Sequence, residues 1–166
     1  VKRTRGTISG TGSSLTVGAS DLGSNGNNIS LTADLITDLE VVSYGRGNYI
    51  DLGSSVNDLQ NVSISGRADI YIESLPTSVS GFTATGAAGD VTIGIDASTN
   101  GNTHLSDPTA TITGGAGHDT IRLDTGGTFA PGTTMSFEEL HFDGAISSLL
   151  TVKATGMNGL NTLTFS

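Results

Sequence analysis

The chain has no cysteine and no tryptophan, only three prolines, and aromatic residues at 5% of its 166 positions. Without cysteine there are no disulfide staples and no thiolate metal sites, so an extracellular lifetime would need another stabiliser. With few aromatics and 35% hydrophobic residues, a thick globular core cannot be filled; any core must be thin and repetitive. Basic residues are also scarce. Seven Lys and Arg stand against sixteen Asp and Glu, for a net charge of −9, and three of the seven (Lys2, Arg3, Arg5) lie within the first five residues. No basic face can be built from the remainder, which argues against nucleic acid or an anionic membrane as a partner. No apolar run approaches the roughly 18 residues of a spanning helix, so membrane insertion is not expected. The start carries neither an initiating Met nor a signal-peptide apolar region, and the chain is expected to be a piece of a larger protein.

What is present is small and hydroxylic. Gly, Thr, Ser and Asn approach half of the chain, yet Val, Ile and Leu recur throughout it, a pattern unlike that of disordered segments. An alternating phrase closed by glycine repeats: Leu59–Gly66 (LQNVSISG) aligns without gaps on Val79–Gly86 (VSGFTATG) and Phe137–Gly144 (FEELHFDG). Leu149–Gly156 (LLTVKATG) fits equally well, while Asp38–Gly45 and Asp107–Gly114 are looser copies. After most copies comes a second alternating run: Ile50–Leu52, Ile70–Ile72, Val91–Ile95, Ile121–Leu123 and Leu163–Phe165. Strand, glycine turn, strand is therefore the unit.

A unit of this length cannot bury its own apolar face, but stacked copies share one. The expectation is an all-β fold, a parallel β-solenoid (β-helix or β-roll) of coils about 21 residues long. Residues 1–166 would form one domain, with polar insertion loops near 96–108 and 124–134. Leu59, Val62, Ile64, Val79, Phe82 and Ala84 would point inward; Ser63, Ser65, Thr83 and Thr85 would face water. Antiparallel sandwiches and barrels also use short alternating strands, but they do not require phrases in phase at 20 and 21 residues.

Residues 114–122, Gly-Gly-Ala-Gly-His-Asp-Thr-Ile-Arg, satisfy every position of the nonapeptide GGxGxDxUx, in which U is a large apolar residue. Here the chain resembles the RTX (repeat-in-toxin) calcium-binding β-roll. The chemistry is intelligible: glycines permit positive φ and turn carbonyls inward, and an aspartate supplies a hard oxygen that suits Ca²⁺. The resemblance implies calcium bound at Gly115, Gly117 and Asp119. It covers nine residues, since neither 96–104 nor 132–140, eighteen residues to either side, is a nonapeptide, and 156–164 is a degenerate copy with Asn161 in place of the aspartate. Other corners read Gly45-Arg46-Gly47-Asn48, Gly66-Arg67-Ala68-Asp69 and Gly86-Ala87-Ala88-Gly89-Asp90. Two readings of this row are open: Asp69, Asp90 and Asp119 share calcium, or stacked Asn and Asp side chains cap backbone groups with no metal.

Composition over the whole chain, with the sparse RTX turn and the phrase FEELHFDG, is similar to bacterial surface-layer (S-layer) proteins and large adhesins exported by type I secretion. That resemblance implies an extracellular, calcium-stabilised structural protein at the bacterial cell surface. It would self-associate into a lattice or filament and contact cell-surface lipopolysaccharide or glycan. A noncatalytic carbohydrate- or host-binding module of a secreted protein is the alternative. No enzyme is expected: His104, His118 and His141 are too scattered for a metal-binding motif. Glu138 and Glu139, adjacent in a strand, point to opposite faces and cannot act as paired carboxylates.

Overall fold

The computed structural model describes residues 5–32, 34–52, 56, 58–95, 109–124, 127–143, 149–153 and 155–166, with side chains from residue 12 onward. The chain is an all-β solenoid whose successive turns lie about 23 residues apart. Its first face contains β1 (Arg5–Thr11), β2 (Ser14–Ser20), β4 (Asp38–Tyr44), β6 (Asn61–Gly66), β8 (Gly81–Ala87), β10 (Thr111–Thr113), β13 (Thr133–Met135) and β16 (Met157–Asn158), hydrogen-bonded in that order. All pair in parallel except β1, which returns antiparallel on β2. The second face stacks β3 (Ile29–Ser30), β5 (Asn48–Asp51), β7 (Ile70–Ile72), β9 (Val91–Ile95), β11 (Thr120–Leu123), β14 (Glu139–Phe142) and β17 (Thr162–Phe165), all parallel. A small third sheet pairs β12 (Gly127–Phe129) with β15 (Leu150–Val152).

The core is a set of columns between the two faces. In-register pairing stacks Ile50, Ile72, Ile93, Ile121, Leu140 and Leu163 on the second face. Leu15, Leu39, Val62, Phe82, Ile112, Thr134 and Met157 stack on the first. Each side chain meets like chemistry about 4.8 Å above and below, so β-branched residues suffice where a globular core would need larger ones. Leu59, Val62, Ile64, Val79, Phe82 and Ala84 are buried as expected, and Thr83 and Thr85 are exposed.

Three expectations need correction. The Asp38–Gly45 and Asp107–Gly114 phrases are offset by two residues from the glycine-based alignment: Asp38 pairs with Asn61 and Phe82 with Ile112. A slip of two preserves which side chains face inward, so the burial pattern survives the wrong register. Phe137–Gly144 belongs to the second face, where Glu139 pairs with Thr120, and Leu150–Val152 lies in the third sheet. A strand buried on one side alternates identically on either face, so the phrase alone does not say which face it joins. Finally, the described part of the expected loop 124–134 does not bulge from 127 onward, since β12 and part of β13 lie there and Phe129 is fully buried. The other expected loop, 96–108, lies outside the described residues.

Thr134 stands out among the apolar columns. It is 1% exposed, and among the described residues its hydroxyl has no hydrogen-bond partner. Burying an unpaired hydroxyl is unfavourable. Thr134→Val, which replaces the hydroxyl by a methyl of similar size, is therefore expected to raise unfolding stability by about 1 kcal/mol in chemical denaturation.

Candidate functional site

The corner between the two faces is where the sequence concentrates its Asn and Asp residues, and strand register divides them into two rows. Asn48 pairs with Ile70 and Ile70 with Val91; Thr92 pairs with Thr120, which places Asp119 opposite Val91. Asn48 and Asp119 thus occupy an inward column, 1% and 0% exposed. Asp69 and Asp90 sit one residue earlier, in line with His118, and all three are exposed. The single row of Asp69, Asp90 and Asp119 is corrected accordingly: with a side-chain period of two, one residue separates buried from exposed.

Both buried members reach back one coil for a backbone amide. The Asn48 Oδ1 accepts a hydrogen bond from Leu22 N at 2.9 Å, and the Asp119 Oδ1 accepts one from Val91 N at 2.9 Å. Their second atoms explain the choice of residue. Asn48 Nδ2 donates to Ser43 Oγ at 2.7 Å and to the Tyr44 carbonyl at 3.0 Å, where only a donor will serve. Asp119 Oδ2 accepts from Gly115 N, where only an acceptor will serve. The Asp119 amide in turn donates to Glu138 Oε2 at 2.8 Å. The exposed row is bonded in the opposite sense, each side chain accepting from the coil that follows: Asp90 N donates to Asp69 Oδ1 at 3.0 Å and His118 N to Asp90 Oδ1 at 2.8 Å. One coil earlier, Arg46 N donates to Asp21 Oδ1 at 3.0 Å. The corner is a ladder in which side-chain oxygens satisfy amides of a neighbouring coil, the preceding one in the buried row and the following one in the exposed row.

The nonapeptide glycines serve close approach. None of Gly114, Gly115 and Gly117 has a positive φ, contrary to the expectation. A Cβ on Gly115 would stand 2.6 Å from the Ala87 carbonyl oxygen, and one on Gly117 would stand 2.6 Å from that of Gly89. At Gly114 a Cβ would overlap the Ser136 carbonyl. Each coil is pressed against its neighbour where only hydrogen fits.

As a calcium cage the residues fit poorly. Both Asp119 oxygens accept backbone amides, and among the described residues no group of three or more His, Cys, Asp or Glu is arranged to hold a metal ion. Asp69 and Asp90 each have one oxygen bonded to an amide, and no donor among the described residues reaches the other. His118 and His141 flank Glu139 at 4.0 and 3.6 Å; His104 lies outside the described residues. No family model, characterised protein or solved structure matches the chain.

Sequence reasoning passed over the partners of this ladder, chiefly the Glu138 carboxylate, and treated Asn48 as one more polar turn. A signal was present. Asn48 and Asp119 each stand two residues before an inward isoleucine (Ile50, Ile121), whereas Asp69 and Asp90 stand one residue before an inward Ile70 or Val91. Even separation puts a side chain inside the strand pair and odd separation outside it.

Burial raises the Asp119 carboxyl above its ordinary value of 3.8; the Gly115 and Val91 amides pull it down, and nearby Glu138 and Asp90 add to the rise. The folded state therefore holds this proton more tightly than the unfolded chain. Its contribution to stability is complete below 3.8 and is lost as pH rises through the folded value. Asp38 and Asp143 act oppositely. Hydrogen bonds from Thr37 and Asn61 lower Asp38 and one from Arg122 lowers Asp143, so their contribution is lost as pH falls below 3.8. Asp119→Asn turns an NH₂ towards the Gly115 amide and is expected to cost about 1–3 kcal/mol. Denaturant titrations from pH 4 to 7 should show this cost shrinking as pH rises, because the variant lacks the ionisation penalty.

Proposed function

We propose that this chain is a structural, noncatalytic segment of an extracellular bacterial surface-layer protein that associates end to end at the cell surface. The observation that supports this reading is the stack itself, whose in-register columns of Ile and Leu can be continued by further coils of the same chain or of a second copy. Leu163 and Phe165 continue inward columns, pairing with Leu140 and Phe142, yet they are 58% and 73% exposed. The Phe165 ring stacks on Phe142 at 4.6 Å and 11°, so the column runs on into β17. At the opposite end of the first face, β1 turns back antiparallel, so the two ends differ and association can have a direction. Columns of like side chains at sheet spacing are continued by any further coil that presents the same alternation. Sedimentation velocity should show concentration-dependent association of the intact chain, and Leu163→Asp with Phe165→Asp should leave a monomer that keeps its β-rich spectrum and melts somewhat lower, since Phe142 loses the ring stacked on it. A strict monomer at high concentration would refute the reading.

Calcium belongs to this proposal as an outer-surface ion. Stacked carboxylates repel at low ionic strength, and the oxygens of Asp69 and Asp90 that no amide engages are the ones open to a cation. We expect the circular-dichroism melt to rise over a titration from about 0.1 to 10 mM calcium, which spans the roughly 0.1–1 mM affinities of extracellular modules. Asp69→Asn with Asp90→Asn should abolish that rise, whereas Asp119→Ala should lower the midpoint equally in EGTA and in calcium. Loss of the calcium response in Asp119→Ala would instead restore an RTX-type site at the nonapeptide.

A second reading, a noncatalytic carbohydrate-binding module, is favoured by a trough on the side of the rod.

A further inference from the structure

The trough, about 230 Å³ in volume, runs along the rod axis on the outer side of the second face. Its two walls differ in chemistry. Tyr49 and Tyr71 pair across β5 and β7 with ring centroids 5.6 Å apart, and Thr92 of β9 extends that wall. Asp69 and Asp90 form the other wall with Arg46 beside them, and Gly47 leaves one end open. A Cβ at Gly47 would meet nothing nearer than the Asp69 carbonyl oxygen at 3.9 Å. Backbone of Asn48 and Ile70 lines the base. The chain has only three tyrosines, and two of them stand side by side here, outside the core that claims four of the five phenylalanines.

We propose that this trough binds a neutral glycan lying along the rod axis. A sugar ring has a C–H face that packs on an aromatic ring and a rim of hydroxyls that donate to carboxylates. Both kinds of group line this trough. Asp69 and Asp90 each spend one oxygen on a backbone amide and keep the other for a ligand, while Arg46 supplies donors for hydroxyl or ring oxygens. Coils about 4.8 Å apart repeat these groups at a spacing comparable to one sugar ring. Charge selects against other ligands. An anion would meet two carboxylates, and an organic cation would find the Tyr71 ring already faced by the Arg122 guanidinium, 5.1 Å from its centre; calcium on the Asp69 and Asp90 oxygens would compete with the glycan, so the titrations are made in EGTA. The inference rests on the carbohydrate-binding reading and is independent of end-to-end association, because the trough lies on the flank of the stack, along β5, β7 and β9.

With no tryptophan in the chain and two of its three tyrosines in the trough, tyrosine emission reports chiefly on this site. The intact chain would be titrated with cellotetraose, chitotetraose and a mannan tetrasaccharide. At least one should give a saturable change in emission. Tyr49→Ala and Asp69→Asn should each weaken its binding about tenfold or more, whereas Tyr44→Phe, outside the trough, should leave it unchanged. Asp69→Asn keeps the carbonyl that caps Asp90, and melts of each variant separate lost binding from lost folding. The proposal is overturned if no tetrasaccharide saturates by about 10 mM, if correctly folded Asp69→Asn binds like the parent, or if choline chloride competes for the site. Sedimentation of the same samples shows whether end-to-end association stands when glycan binding fails.

Discussion

The fold depends on the hydrogen bonds by which one coil satisfies the next at the corner. Within the strands, parallel pairing handles the backbone automatically. At the corner the chain changes direction, the pairing lapses, and amides at Leu22, Arg46, Asp90, Val91 and His118 would be left without acceptors. Side chains of Asn48, Asp21, Asp69, Asp119 and Asp90 take those places. Because each donor and acceptor lie in successive coils, the bonds also hold the coil spacing, and removing one affects two turns.

The same corner accounts for the run of glycines. Coils brought to sheet spacing at a bend leave no room for side chains directed at the neighbouring backbone. Gly115 and Gly117 lie where a methyl would strike a carbonyl. On the second face Gly94 plays the equivalent part, since a Cβ there would overlap the Glu73 carbonyl. These positions are fixed by close approach, whereas Gly45 and Gly156, at φ +81° and +89°, are fixed by the left-handed conformation of their turns. One residue type thus answers two different constraints, and a motif match does not tell them apart.

Burial and charge then divide the acidic residues by task. Asp119 is enclosed and bonded through both oxygens, which makes it part of the framework. Arg122, bonded to Asp143 and 3.5 Å from Asp124, ties β11 to the segments that follow β11 and β14. Asp69 and Asp90 stay at the surface beside two tyrosines. The framework carboxylates and the available ones differ by a single position along the strand.

The sequence alone determined that the chain is a stacked parallel β structure, because alternation at a near-constant interval leaves an apolar stripe that only a neighbouring copy can cover. It determined the inward residues for the same reason: parity along a strand is insensitive to slips of two. Only the tertiary structure decided which face each phrase joins, because β6 and β14 alternate alike and differ only in what they pair with. Only it separated Asp119 from Asp69 and Asp90 as a framework group, since the amides they accept come from coils 21 to 28 residues distant. The tyrosine trough was hidden for the same physical reason: Tyr49 and Tyr71 lie 22 residues apart in the chain and become neighbours only when β5 and β7 pair.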